Sequence, residues 1–153
     1  VILCHTMKKL ASIFLVSIIF LVVFCNALFS SLASDPPPVP RDVDAGTLWN
    51  LVQSWRVTNN LQSYTEAPSL CQKADVRVQD IQTDFSHTLF RERYDPLPYI
   101  ISENLATGYP NEQDLLDAWI QSPTHKENLL KPYTYSCLRC LHNRCVHLFS
   151  NKL

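Results

Sequence analysis

An apolar run from Leu10 to Phe29, preceded by Lys8 and Lys9, constrains this chain more than any other feature. A basic start, an apolar stretch and the small-residue ending Ser31-Leu-Ala33 are typical of a secretory signal peptide. About 20 apolar residues are also enough to span a bilayer, so an uncleaved N-terminal anchor is the alternative. Either segment places the rest of the chain outside the cytoplasm. We therefore expect a secreted protein, or one anchored in the membrane and facing outward.

Composition divides the chain into three parts. Residues 1–33 form the signal peptide or anchor, and residues 1–6 would be upstream read-through if Met7 is the true start. Residues 34–43 hold clustered prolines, which favour an extended polyproline II linker without a core of its own. Residues 44–153 form the folded domain. Of the 13 Lys+Arg and 14 Asp+Glu, only Lys8 and Lys9 lie in the leader, so the remainder has a net charge of −3. Because it has no basic cluster, we expect no nucleic-acid partner.

The folded part contains four cysteines, Cys71, Cys137, Cys140 and Cys145. In an exported domain this number favours two disulfides. Cys140 and Cys145 flank a four-residue turn and could close a hairpin, which would leave Cys71 to pair with Cys137; the connectivity stays open. The alternative is a zinc knuckle made of the last three cysteines with His142 or His147. Strand alternation would place Cys137 and Cys140 on opposite faces, which disfavours a shared metal.

Periodicity predicts two helices in the first half of the domain. The first runs from about Leu48 to Trp55 and ends at Asn59-Asn60. The second begins after Thr65, whose hydroxyl would cap it, and buries a stripe of apolar residues while Arg77 faces water. Residues 84–98 show no period and are predicted to be loop.

The second half of the domain mixes strands and helices. Tyr99–Ser102 is a short apolar, β-branched run and predicts a buried strand. Asn111 and Asp114 form a capping-box-like pair that starts a third helix. Ser122 caps a fourth helix, with Pro123 in its first position. The segments Tyr133–Cys140 and Arg144–Phe149 predict a closing hairpin. The order of elements indicates an α+β fold, a sandwich of helices and sheet with a C-terminal β-hairpin.

Three residues on separate segments are candidates for chemistry. His125 lies in the first turn of the fourth helix, where the helix dipole disfavours imidazolium and leaves a ring that can bind a metal or accept a proton. His87 lies in the 84–90 loop, and Glu103 follows the predicted strand. Two imidazoles and one carboxylate are a ligand set of open zinc sites. His87, Glu103 and His125 are thus the candidate metal ligands and the candidate catalytic residues. The alternative is a buried polar network that only stabilises the fold.

The segments "SENLATG" (102–108) and "SPTHKENLL" (122–130) resemble the CAP superfamily, which includes cysteine-rich secretory proteins, antigen 5 and pathogenesis-related 1 proteins. The similarity is closest to the short bacterial SCP-like extracellular branch. Upstream, "LWNLVQSWRVTNNLQSY" (48–64) and "SLCQKADVRVQDIQTDFSH" (69–87) are similar to the first two helices and the histidine loop of that group. "RCVHLFSN" (144–151) is similar to its closing strand. The resemblance covers nearly all of residues 44–151, so this part is interpreted as a CAP/SCP-like domain.

The resemblance implies a three-layer α–β–α sandwich with a cleft lined by two histidines and two acidic residues. His87, Glu103 and His125 match three of these positions. The second acidic position falls on Ser122, three residues after Trp119, and Glu127 is out of register. The implied function is a secreted module that binds a lipid, a cell-wall component or a protein, with a divalent metal, zinc, in the cleft. The alternative is a metal-dependent, peptidase-like hydrolase that uses the same residues, so enzymatic activity is left open.

Overall fold

The computed structural model describes residues 42–94, 99 and 101–152. The predicted leader and nearly all of the predicted linker lie outside these residues. The described elements are α1 (Ala45–Thr58), β1 (Thr65–Glu66), α2 (Pro68–Thr83), α3 (Thr88–Tyr94), β2 (Ile101–Thr107), α4 (Glu112–Gln121), α5 (Pro123–Leu130), β3 (Tyr135–Leu141) and β4 (Arg144–Ser150). Within this part of the chain, no helix has the length and apolar character needed to cross a bilayer.

The strands form one mixed sheet in the order β1-β3-β4-β2. The short strand β1 runs parallel to β3, whereas β4 pairs antiparallel with β3 on one side and β2 on the other. The β3–β4 hairpin turns at His142 and Asn143, whose φ angles of 47° and 57° both lie in the left-handed region. A two-residue turn of this kind matches the twist of paired strands. The predicted C-terminal hairpin is confirmed.

Helices cover both faces of the sheet. On one side, Phe149 of β4 belongs to a core cluster with residues of α1, α4 and α5. Its neighbour Leu148 belongs to a second cluster with residues of α2 and α3. Successive residues of a strand point to opposite faces, so the sheet lies between two helical layers. The predicted three-layer α–β–α sandwich is confirmed.

Both disulfides connect elements of this sandwich. Cys71 of α2 is bonded to Cys137 of β3, and Cys140 is bonded to Cys145 across the hairpin. Both expected pairings are confirmed. The zinc knuckle is excluded because thiolate sulfurs are needed to bind zinc.

Three local predictions are wrong. Residues 84–94 are not all loop, because Phe90 buries its ring beneath α2 and Thr88–Tyr94 folds as a helix; residues 95–98 lie outside the described part. Thr65 does not cap α2, because it pairs with Tyr135 in β1 and the N-cap position is taken by Ala67 without a side-chain bond. The strand predicted at Tyr99 begins instead at Ile101 and continues to Thr107.

The predicted helix starts in the second half are largely correct. Asn111 accepts a hydrogen bond from the backbone N–H of Asp114, at 2.9 Å, as the capping pair predicts. Ser122 occupies the N-cap position of α5 with Pro123 next to it, but the Ser122 hydroxyl makes no capping bond.

A fully buried histidine, His147, lies in the centre of β4. Its Nε2 is 3.0 Å from the Ser136 hydroxyl, and its ring is packed among aromatic rings. These belong to Trp49, Tyr64, Trp119 and Phe149. Burial, together with the positive charge of Arg56, lowers the pKa of His147 from 6.5 to about 3. The folded protein therefore contains this imidazole in its neutral form.

We expect the neutral state of His147 to make folding stability fall in acid. Below pH 6.5 His147 binds a proton in the unfolded chain but stays unprotonated in the folded protein. The free energy of unfolding therefore falls as the pH drops. Between pH 6 and pH 4.5 the loss is about 2 kcal/mol. Urea unfolding at several pH values would measure it. His147→Phe should flatten this slope relative to the parent, whereas His142→Asn, at the exposed turn, should not. Equal slopes in parent and His147→Phe would contradict the expectation.

Candidate functional site

A hollow of about 390 Å³ opens between α3, β2 and α5. Its lining is mixed, with an imidazole, a carboxylate and a guanidinium beside apolar and hydroxyl side chains. The lining residues are His87, Phe90, Arg91, Ile101, Ser102, Glu103, Thr124 and Asn128. Two of the three predicted site residues therefore line one hollow. His125 follows Thr124 in α5 but is not itself among the lining residues.

Glu103 is the buried anion of this hollow. It is the third residue of β2, not the end of a strand, and its side chain is 1% exposed. Arg77 of α2 binds it through two contacts, from Nε to Oε2 at 2.5 Å and from Nη2 to Oε1 at 3.1 Å. Such a two-point pair offsets the cost of burying the carboxylate.

The position of Arg77 differs from the prediction, because this residue was predicted to face water and is completely buried. Its position in α2 lies seven residues after Leu70 and four before Ile81, on the buried face of the helix. A charged side chain on that face is stable only with a partner, and Glu103 supplies it. An arginine in the apolar stripe was the signal that could have identified this pair.

Arg77 also positions the loop that carries His87. Its Nη2 donates to the backbone carbonyl of Ser86, the residue before His87. One guanidinium therefore contacts both the strand that holds Glu103 and the loop that holds the histidine. The positions of these two side chains are coupled through Arg77.

His87 completes the chain of contacts from Arg77. Its Nδ1 is 2.7 Å from Glu103 Oε1, and about half of its side chain is exposed. A carboxylate that is paired with arginine is ionised and accepts hydrogen bonds only. The proton of the contact therefore belongs to His87 Nδ1, and in the neutral ring Nε2 carries the free lone pair.

His125 is held near this group by asparagines. Asn104 donates its amide to the backbone carbonyl of His125 at 3.0 Å, and Asn128 donates to Asn104 Oδ1 at 2.9 Å. These bonds fasten α5 to β2. Burial lowers the pKa of His125, and the charge of His87 lowers it further. The lowered pKa keeps the His125 imidazole neutral at neutral pH. Neither asparagine was singled out from the sequence. Asn104 could have been, because a side-chain amide in a buried strand needs a hydrogen-bond partner.

The carboxylates near the hollow are poorly suited to bind a metal directly. Both oxygens of Glu103 are engaged by Arg77 and His87. Glu127 pairs with Lys131 at 2.9 Å on the exposed side of α5, so it does not replace the carboxylate missing at Ser122. Of the three predicted ligands, the two imidazoles each keep a ring nitrogen that no described residue engages.

A close three-ligand cluster exists elsewhere but is chemically blocked. In the described ranges, only Glu66, Cys71 and Cys137 bring three ligand atoms within 4.8 Å of one another. Two of these atoms are the sulfurs of a disulfide and cannot coordinate as thiolates. His87, Glu103 and His125 do not form such a cluster.

The architecture matches solved structures of bacterial SCP proteins. A cysteine-rich secretory protein from Staphylococcus aureus superposes with a TM-score of 0.61 at 14% identity, over 71% of this chain and 38% of that one. An extracellular protein containing an SCP domain from Bacillus anthracis gives a TM-score of 0.61 at 21% identity, over 71% and 40%. This protein has the CAP fold.

A third CAP-fold match is an outer surface protein from Borrelia burgdorferi, with a TM-score of 0.59, 21% identity, and coverage of 75% of this chain and 100% of that one. The resemblance drawn from residues 102–108 and 122–130 is therefore confirmed at the level of the fold. The present chain spans about two fifths of the length of the Staphylococcus and Bacillus proteins. No protein-family model matches the sequence, and a search of curated proteins found no match.

Proposed function

We propose that this protein is an extracellular CAP-fold binding module whose His87 and His125 hold a divalent metal, zinc. One observation carries the proposal: His87 donates Nδ1–H to a carboxylate that is itself anchored by Arg77. Histidines that bind metals almost always donate their second ring N–H to a carboxylate, carbonyl or water. The contact fixes the tautomer and the ring orientation, which leaves His87 Nε2 ready to coordinate.

The donor set fits a site with open positions. His125 supplies a second imidazole, whose pKa is lowered by burial, and Glu103 acts as a positioning residue rather than as a ligand. Zinc held by two imidazoles keeps positions for solvent or for an oxygen of a bound molecule. When bound, the metal would act as a Lewis acid towards such an oxygen.

Several observations support the extracellular compartment. The leader at residues 10–29 and the two disulfides support an extracellular location. The similar structures are a secretory, an extracellular and an outer surface protein, which agrees with this. We propose a lipid, a cell-wall component or a protein as the ligand of the open hollow. Contact with a membrane would come only through the N-terminal segment, if it is not cleaved.

The hydrolase alternative receives less support from the site. A general base needs a free lone pair within reach of water, and Glu103 is engaged by Arg77 and His87. Incubation of the zinc-loaded protein with a panel of peptides and esters tests it. Turnover above that of the zinc-free protein would replace the binding module with a hydrolase.

Metal binding is tested by removing both imidazoles. We expect the parent to bind zinc, and the double variant His87→Ala/His125→Ala to lose this binding because no imidazole ligand remains. Isothermal titration with zinc, supported by elemental analysis after dialysis, measures both. The matched control is His142→Asn, which replaces a histidine at the exposed hairpin turn and should leave zinc binding unchanged.

Two results would contradict the metal site. Equal zinc binding by the double variant and the parent would show that the imidazoles are not ligands. A large fall in melting temperature for the double variant, with no zinc bound by the parent, would favour the structural polar network instead.

A further inference from the structure

A second hollow, of about 230 Å³, is lined by Ser102, Lys131, Pro132, Tyr133 and Asn151. Ser102 also lines the first hollow. The polar groups around the second hollow indicate what kind of group it would accept.

The two hydroxyls in this hollow together have one hydrogen-bond donor that is not used between them. Ser102 Oγ and Tyr133 OH are 2.6 Å apart, so one of their two protons is used between them. In the part of the chain that the structure describes, neither hydroxyl has another hydrogen-bond partner, so the second proton remains available to a ligand. The Tyr133 ring is buried and stacked on Phe149 at 5.8 Å, which fixes the position of its hydroxyl.

Lys131 adds a positive charge next to the hydroxyl pair. Its Nζ contacts Glu127 at 2.9 Å, but the Glu127 side chain is 65% exposed, and exposed ion pairs of this kind contribute little. An ammonium has three donors, and Glu127 occupies one of them. The hydrogen bond to Glu127 raises the pKa of Lys131, so the charge persists at neutral pH.

The charge around the first hollow has the same sign. Arg91 lines it and makes no ion pair with any described residue. Among its described lining residues, Glu103 is the one carboxylate, and it is already paired with Arg77. Both hollows therefore present cationic groups to a ligand, without a free carboxylate among their described lining residues to repel an anion.

We propose that the second hollow is a subsite for an anionic oxygen group, a phosphate or a carboxylate, held by Lys131 and the Ser102–Tyr133 hydroxyl pair. It goes beyond the proposed function, because it gives the protein a second binding site whose chemistry does not depend on a metal.

Anion titrations of the full chain test the subsite. Inorganic phosphate and, separately, acetate are titrated at constant ionic strength into zinc-free and zinc-loaded protein, with backbone amide shifts at residues 102, 131 and 133 followed by NMR. We expect saturable shifts with at least one of the anions, which identifies the preferred group. Lys131→Gln should weaken binding about tenfold and Tyr133→Phe about threefold to fivefold. Lys126 is an exposed lysine of α5, the helix that ends just before Lys131, and Lys126→Gln should leave anion binding unchanged. Zinc binding should be retained in all three variants.

The outcomes separate the subsite from the metal site. The absence of saturable shifts in both zinc states, or equal weakening by Lys126→Gln and Lys131→Gln, would overturn the subsite while leaving zinc binding untouched. Failure of the parent to bind zinc, with the anion shifts and the effect of Lys131→Gln intact, would overturn the metal site and retain the subsite.

Discussion

Arg77→Met should destabilise the protein by about 3–5 kcal/mol, the cost of leaving a buried charge without its partner. Arg77 is completely buried and binds both oxygens of Glu103, whose side chain is also buried. The variant also loses the bond to the Ser86 carbonyl, so we expect the loop of His87 to become less ordered. Urea unfolding measures the stability. Hydrogen exchange of residues 86–88 measures the loop.

Two further variants test whether the loss of stability comes from the buried Arg77–Glu103 ion pair. Arg93→Met removes an exposed arginine that pairs with Asp80 at 2.5 Å, and this loss should cost no more than about 1 kcal/mol. The double variant Arg77→Met/Glu103→Gln should recover part of the loss, because it removes the unpaired charge. If Arg77→Met and Arg93→Met cost the same, the buried ion pair described here would be refuted.

Removing the Cys71–Cys137 disulfide should lower the free energy of unfolding by about 4 kcal/mol. Removing Cys140–Cys145 should lower it by about 2 kcal/mol. The first pair closes a separation of 66 residues and the second a separation of 5, so the first restricts the unfolded chain much more. The double variants Cys71→Ala/Cys137→Ala and Cys140→Ala/Cys145→Ala serve as each other's control in chemical unfolding. A larger loss for the hairpin bridge would contradict the chain-entropy explanation.

Several elements were predictable because their causes lie within a few residues. Helix α4 begins at its N-cap Asn111, which bonds to Asp114, and helix α1 ends at its C-cap Asn59. The hairpin follows from two apolar segments around a short turn. The pairing of Cys140 with Cys145 depends on the same short separation. The order of the segments around Glu103 and His125 also indicated the CAP fold.

Other features were not predictable because their causes are distant along the chain. Thr65 joins the sheet rather than capping α2, since its partner Tyr135 is seventy residues away. The short helix α3 has no clear period of its own and forms where Phe90 can be buried under α2. In both places a tertiary contact outweighs the local preference.

The candidate site shows the same division. From residue types alone, His87, Glu103 and His125 could be nominated as chemically capable groups, and the contact between the first two is present in the structure. Arg77 was not among these nominated residues, yet it contacts both carboxylate oxygens of Glu103, the group that was expected to be a ligand. Local spacing determines helices, turns and the nearer disulfide, because those interactions act over a few residues. Which buried charges pair is decided only when α2 packs on β2, because the cost of burying an ion depends on everything that surrounds it.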